Sequence, residues 1–189
     1  MTVHSFHIFD RKGKTLFTKC YVKKPQKEGK ALEEEEEQLS EQRKLVFGML
    51  FSLRELSSSL SPSDGPGDLQ MVKTGASTLY NYETVSGLRF VLYTSSEAST
   101  SSGTSETTGQ TPSSAPDGGN ESFYNSGAQA ADKVASEVRA ALKYIYETIY
   151  ITSVIRSPMY RPGDETESIK STNFEAELEG YLKRKAWFR

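Results

Sequence analysis

The chain has 189 residues, a formal net charge of -2 at pH 7 and a sequence pI near 5.8. Its length allows one folded domain over residues 1–189, with a core that needs no disulfide or structural metal. The charge balance argues against nucleic-acid binding, which requires Lys and Arg concentrated on one face. The first residues lack the basic and apolar regions of a secretion signal, and no stretch reaches the roughly 20 apolar residues that cross a bilayer. We therefore expect a cytoplasmic protein with peripheral membrane contact at most.

A hairpin and a polar loop are predicted first. Val3–Phe9 and Thr15–Val22 are β-rich, and Asp10–Gly13 between them has the composition of a tight turn with glycine at positive φ. Residues 23–38 contain Lys-Lys-Pro and the acidic run Glu33–Glu37, which are too polar for a core. This segment predicts a loop that leads into the first helix.

The helix that follows is apolar over more than half of its circumference. It is predicted from about Leu39 to just before Ser57. Apolar residues at helical spacing form a first row that would face the core: Leu45, Val46, Met49, Leu50, Leu53, Leu56 and Leu60. Phe47 and Phe51 form a second row, which either folds under a loop of the same chain or is covered by another protein. We favour a partner surface with four contributing residues, Phe47, Leu50, Phe51 and Arg54.

Three strands are predicted next, over Asp68–Lys73, Thr78–Thr84 and Leu88–Thr94. The last is apolar on both faces, which favours a central position in the sheet. Thirteen of residues 95–119 are Ser or Thr, so we predict a disordered Ser/Thr/Gly-rich insertion over residues 95–127.

Two helices complete the chain. The longer is predicted from about Ala128 toward Ser157, where Pro158 ends it. A shorter one is predicted to begin with a capping box formed by Thr172 and Glu175. The resulting order, ββ-α-βββ-α-α, indicates an α+β fold.

No catalytic, cofactor or metal site is predicted. Strand alternation places His4 and His7 on opposite faces, so they are not expected to act together. Cys20 is predicted to be a small buried hydrophobe, since no neighbouring base or metal-ligand cluster accompanies it. An enzyme remains an alternative only because Cys20 has no assigned role. The glycines do not form a phosphate-binding loop or a dinucleotide fingerprint.

Several blocks of residues together resemble a known family. These blocks are Met1–His4 with Phe9–Arg11, Lys44–Arg54 with Leu60–Pro62, Leu79–Thr84 with Gly87, and Ile145–Pro158. They resemble the small longin-like core subunits of the transport protein particle (TRAPP) complex, and among these they resemble subunit 1. The expanded serine-rich segment departs from the usual pattern and points to a fungal-type member.

The resemblance implies a longin-like fold, with a five-stranded antiparallel sheet, one helix on one face and two on the other. It also implies a non-catalytic subunit of a vesicle-tethering assembly in endoplasmic reticulum to Golgi transport. The implied partners are other TRAPP subunits, including a synbindin-like longin subunit and a Bet/Trs-type α/β subunit, and a Rab-family GTPase. The implied location is peripheral, at cis-Golgi and endoplasmic reticulum membranes.

Other protein classes share this fold. A small longin-like subunit of a cargo-adaptor coat would link coat to cargo without acting on a GTPase, and it remains the main alternative. A longin-bearing SNARE would need a long apolar heptad repeat and a C-terminal anchor, and the sequence shows neither.

Overall fold

The computed structural model places a hairpin, a long helix, three more strands and two further helices along the chain. Residues 1–21, 31–60, 69–95, 122–158 and 168–188 are described, with side chains of the first two helices described from Glu37 and Asp132 onward. The strands are β1 (Thr2–Phe9), β2 (Thr15–Cys20), β3 (Met71–Lys73), β4 (Ser77–Glu83) and β5 (Arg89–Ser95). The helices are α1 (Ala31–Leu60), α2 (Ser122–Tyr144), which continues as a π-helical segment (Ile145–Ile155), and α3 (Thr172–Lys183).

The strands form one antiparallel sheet of five strands in the order β2-β1-β5-β4-β3. β5 pairs with β1 on one side and β4 on the other, so its predicted central position is confirmed. Phe90 faces Ile8 across one pairing and Tyr82 across the other. The predicted α+β, longin-like architecture and its element order are therefore confirmed.

The sheet separates two apolar cores. On one face, α1 packs Val46 and Leu50 against strand residues of β1, β4 and β5. On the other face, α2, the π-helical segment and α3 enclose a larger core around Phe6, Phe90 and Phe174. Each face of the sheet is thus closed by helices, and the outward side of α1 is the part of that helix left for other contacts.

The two hairpin turns have the chemistry that their sequences predict. In the β1–β2 turn, the Asp10 carboxylate accepts hydrogen bonds from the backbone N–H groups of Lys12 (2.8 Å) and Lys14 (2.7 Å). Gly13 follows with φ of 88°. In the β4–β5 turn, Gly87 has φ of 83°, a conformation that residues with a Cβ rarely adopt.

The first helix is longer than predicted at both ends. It begins at Ala31, so the part of the predicted 23–38 loop from residue 31 onward is helical, while residues 23–30 lie outside the described residues. Glutamates form helices readily and are favoured near the positive end of the helix dipole, which accounts for the early start. At the other end, the helix continues through the serines to Leu60, and the Ser59 hydroxyl donates to the Leu56 carbonyl (2.8 Å).

The last two helices also differ in detail from the prediction. α2 begins at Ser122, so only residues 96–121 of the predicted 95–127 insertion lie outside the described residues. The π-helical winding was not predicted; it appears in the hydrogen bond from the Arg156 N–H to the Ile151 carbonyl (3.0 Å). The cap of α3 is Ser171, whose hydroxyl accepts from the Phe174 N–H (3.2 Å), so the predicted Thr172 capping box is wrong by one residue.

Candidate interaction surface

The flanks of α1 carry large apolar side chains that the other described residues leave exposed. Leu45 is 74% exposed and Phe51 is 47% exposed. Leu56 and Leu60 are exposed as well. Leucine and phenylalanine gain free energy when they leave water, so a helix that presents four of them is suited to bind another protein.

Phe47 and Phe51 stack on each other above the β1–β2 turn. Their ring centroids are 6.3 Å apart, and Phe47 also lies 5.6 Å from the ring of Phe9. A Cβ on Gly13 would approach the Phe47 ring to 2.5 Å, so the glycine is needed for this close approach as well as for its positive φ. The hairpin therefore supports Phe47 from below and leaves Phe51 as the outer ring of the pair.

A buried arginine lies beneath the two rings. The guanidinium carbon of Arg89 is 5.1 Å from the centroid of Phe47 and 5.9 Å from that of Phe51, within the range of cation–π attraction. Its Nε lies 3.5 Å from a carboxylate oxygen of Glu83, and the Nε of Arg54 lies 3.1 Å from the same oxygen. The ion-pair cluster fixes the positions of both arginines and holds Arg54 beside the aromatic pair.

Three of the four predicted interface residues are brought together here. Phe47, Phe51 and Arg54 form one continuous surface with Arg89 beneath it. We call these three residues the Phe51 surface. Leu50 does not belong to it, because only 1% of it is exposed and it packs in the core between α1 and the sheet. Its predicted contact with a partner is corrected to a structural role.

Sequence reasoning missed a second exposed flank of α1. Leu45, Leu56 and Leu60, the leucine flank, were predicted to face the core but are exposed. The core side is centred instead on Val46 and Leu50. A helix turns by about 100° per residue, so side chains at the two ends of a broad apolar stripe point away from the sheet. Only the orientation of α1 on the sheet identifies the flank that is left outside.

Both histidines lie on the α1 side of the sheet. A β-bulge between Val3 and Ser5 breaks the alternation of β1, so the prediction of opposite faces is wrong. The His4 ring lies 5.5 Å from that of Tyr93, whereas His7 stacks on Phe9 at 5.7 Å. Both aromatic partners pack in the core under α1.

His7 forms a buried polar pair of contacts with neighbouring strand residues. One ring nitrogen is 2.8 Å from the Ser5 hydroxyl, and the other is 3.2 Å from the Thr18 hydroxyl. Burial, assisted by the positive charge of Arg43, lowers the pKa of His7 to about 4. The ring is therefore neutral at pH 7, and its role is to hydrogen-bond neighbouring strand residues in the core.

The structure also bears on the cysteine, on metal binding and on membrane-spanning helices. Cys20 is exposed at the end of β2, so the expectation that it is buried is wrong. Across the described ranges, no group of three or more His, Cys, Asp or Glu side chains is placed to hold a metal ion. None of the helices in these ranges is both long and apolar enough to cross a membrane.

Comparison with known proteins identifies relatives of the chain. The Sybindin-like family matches residues 3–108, a range that contains α1 and, apart from Thr2, all five described strands. Trafficking protein particle complex subunit 1 of Homo sapiens and of Bos taurus is 36% identical over 94 residues, which are 50% of this chain and 59% of each relative.

A similar protein is also found outside the mammals. Trafficking protein particle complex subunit BET5 of Saccharomyces cerevisiae is 33% identical over 92 residues, which are 49% of this chain and 57% of the relative. The chain therefore spans somewhat more than half the length of the curated relatives that it matches. These matches confirm the resemblance to a TRAPP small subunit; no comparison tests the fungal-type assignment.

Proposed function

Because the chain belongs to the Sybindin-like family, we propose that it is a non-catalytic core subunit of the TRAPP vesicle-tethering complex. In this proposal it contributes to a composite guanine nucleotide exchange surface for a Rab-family GTPase, in transport from the endoplasmic reticulum to the Golgi. The names of the relatives, all trafficking protein particle complex subunits, support membership of such an assembly. The location would be peripheral, at cis-Golgi and endoplasmic reticulum membranes.

The observation that carries the proposal is the set of exposed large apolar side chains on the two flanks of α1. The Phe51 surface and the leucine flank both lie between Leu45 and Leu60, on opposite flanks of the helix, with the core-facing Val46 and Leu50 between them. A subunit that neighbours cover in a complex uses such side chains in its interfaces, because buried aromatic and aliphatic side chains supply most of the free energy of binding.

Nucleotide exchange requires binding surfaces and does not require groups that make or break covalent bonds. An exchange factor binds the nucleotide-free GTPase and stabilises switch conformations that no longer hold Mg²⁺ and phosphate. No bond is made or broken in the protein itself. The subunit's part is to present positioned contacts, and the ion pairs of Glu83 with Arg54 and Arg89 support the position of Arg54 in the Phe51 surface.

We assign the Phe51 surface to contact with a TRAPP subunit or the GTPase. The most direct partner to test is a synbindin-like longin subunit, followed by a Bet/Trs-type α/β subunit. Phe51 is the exposed aromatic anchor, and the partly exposed Arg54 stands beside it to pair with a polar rim. Leu50 and Val46 position α1 beneath these residues.

We expect Phe51→Asp to weaken binding to these partners by about thirtyfold or more, because a carboxylate would be desolvated in an apolar contact. Binding is measured by pull-down and by isothermal titration calorimetry with the co-expressed subunits. Circular dichroism checks that the variant is folded.

Ile155→Asp is the matched control for this substitution. Ile155 is also an exposed aliphatic residue, but it lies at the end of the π-helical segment, on the other side of the sheet. Loss of binding in Phe51→Asp with retention in Ile155→Asp supports the assignment. A folded Phe51→Asp variant that keeps every partner at wild-type affinity would remove Phe51 from the interface.

A further inference from the structure

A polar groove lies between α1 and the outer edge of β2, away from the leucine flank. Its volume is about 610 Å³, within the range of ligand sites in proteins. β2 forms the floor and α1 one wall. The far end is closed where the Ile169 N–H donates to the Leu16 carbonyl (2.7 Å) and brings Ser168 to the rim.

The wall formed by α1 is positively charged. Arg43 and Lys44 both line the groove, and neither forms an ion pair with another residue in the described ranges. Glu175 lies on the opposite side, but its carboxylate is paired with Lys19 of β2. The groove therefore contains two cations without a matching anion from the described chain.

Hydroxyl groups complete the lining. Ser40 lies on the α1 wall, Thr15 and Thr18 on the floor, and Ser168 on the rim. The Thr18 hydroxyl also contacts a ring nitrogen of His7 at 3.2 Å. When that nitrogen donates its proton to the Thr18 oxygen, the hydroxyl hydrogen remains free to donate into the groove.

We propose that this groove binds a phosphate monoester. A phosphate group presents several acceptor oxygens in tetrahedral directions, which match donors placed on a floor, a wall and a rim. Arg43 supplies charge with a planar donor array, Lys44 supplies a mobile point charge, and the hydroxyls supply neutral donors. The phosphate belongs either to a lipid headgroup or to a soluble phosphate ester, and the two sources present the same chemistry to these residues.

The first experiment is an NMR titration of the full chain with inorganic phosphate. We expect saturable shifts of the Thr15, Thr18 and Ser168 amides with a Kd at or below about 1 mM. Lys44→Gln should weaken binding about tenfold, because one charge-assisted contact is lost. Lys44 is exposed, so its replacement leaves the core intact, and Arg43→Gln tests the second cation.

Lys73→Gln is the matched control, since Lys73 is an exposed lysine on β3 at the opposite edge of the sheet. Equal weakening in Lys73→Gln and Lys44→Gln would indicate unspecific charge attraction and overturn the proposal. So would an absence of shifts at the groove amides. Equal affinity for succinate, which carries carboxylates only, would overturn the assignment to phosphate.

Two further arms identify the source of the phosphate. Vesicles of phosphatidylcholine with 4-phosphorylated phosphatidylinositol are compared with vesicles of phosphatidylcholine alone. Sedimentation of the wild type, but not of Lys44→Gln, with the first vesicles assigns the site to a lipid headgroup. Binding of inositol 4-phosphate in solution without vesicle sedimentation assigns it to a soluble ester. Binding in neither arm, despite a response to inorganic phosphate, would contradict a monoester ligand.

Discussion

Leu50→Ala should lower the free energy of unfolding by about 2–5 kcal/mol, as expected when a large aliphatic side chain is removed from a packed core. Leu50 is almost fully buried between α1 and the sheet, where it packs with Phe9, Leu79 and Val91. The surrounding strands are hydrogen-bonded on both sides, so they are poorly able to collapse into the cavity. Urea unfolding followed by circular dichroism measures the change.

Leu45→Ala provides the control for this prediction. It removes the same atoms from the same helix, at a residue that is exposed. We expect the free energy of unfolding to change by no more than about 0.5 kcal/mol. If both variants lost the same stability, α1 would be rotated on the sheet relative to the structure, and the division between Leu50 and the leucine flank would be wrong.

The second prediction concerns stability in acid. The pKa of His7 is about 4 in the folded chain, below the value near 6.5 of an unperturbed histidine. Between these values the unfolded chain binds a proton that the folded chain does not. The free energy of unfolding therefore falls as the pH is lowered from about 6.5 to 4, by about 3 kcal/mol in total, and this contribution is constant above pH 6.5.

A His7→Gln variant isolates the contribution of the ring. Glutamine is polar and does not titrate, so the difference in unfolding free energy between the wild type and the variant should shrink or reverse as the pH falls. The pKa of Glu179 is also lowered, chiefly by its hydrogen bond with Lys183. The stability lost when this carboxylate is protonated in acid is the same in both proteins, so it cancels in the comparison. Parallel curves for the two proteins from pH 7 to pH 4 would show that His7 titrates normally.

Much of the fold follows from local patterns in the sequence. Alternating and continuous apolar runs located the strands, and the two-sided apolar character of β5 placed it at the centre of the sheet. The turn at Asp10 and Gly13 was predictable because side-chain capping and positive φ depend on residues within the turn itself. These features need no knowledge of distant contacts.

The orientation of α1 and the environment of Arg89 could not be obtained in this way. A helix that is apolar over most of its circumference has no unique inner side until it is docked on the sheet. Arg89 lies in a strand that is apolar on both faces, and its own position in the sequence does not indicate that the rings of Phe47 and Phe51 and the carboxylate of Glu83 surround it. The bulge in β1 that turns His4 to the face of His7 likewise has no local signal.

The structure therefore brings together three of the four residues of the predicted interface and buries the fourth, Leu50, while the interface itself stays a prediction. The aromatic pair was identified because phenylalanines at positions 47 and 51 are one helical turn apart. The exposed leucines were missed because their spacing also fits a core-facing row. Replacing exposed apolar residues by Asp on the Phe51 surface and on the leucine flank, one at a time, shows by loss of partner binding which of the two surfaces partners use.

The role proposed for this chain is that of a subunit in an assembly that exchanges nucleotide on a Rab-family GTPase. The most direct measurement is release of fluorescent GDP from the GTPase, catalysed by the TRAPP core reconstituted with and without the chain. We expect the rate without the chain to fall to that of spontaneous release, and adding the wild-type chain, but not Phe51→Asp, to restore it. An unchanged rate in the complex that lacks the chain would contradict the claim.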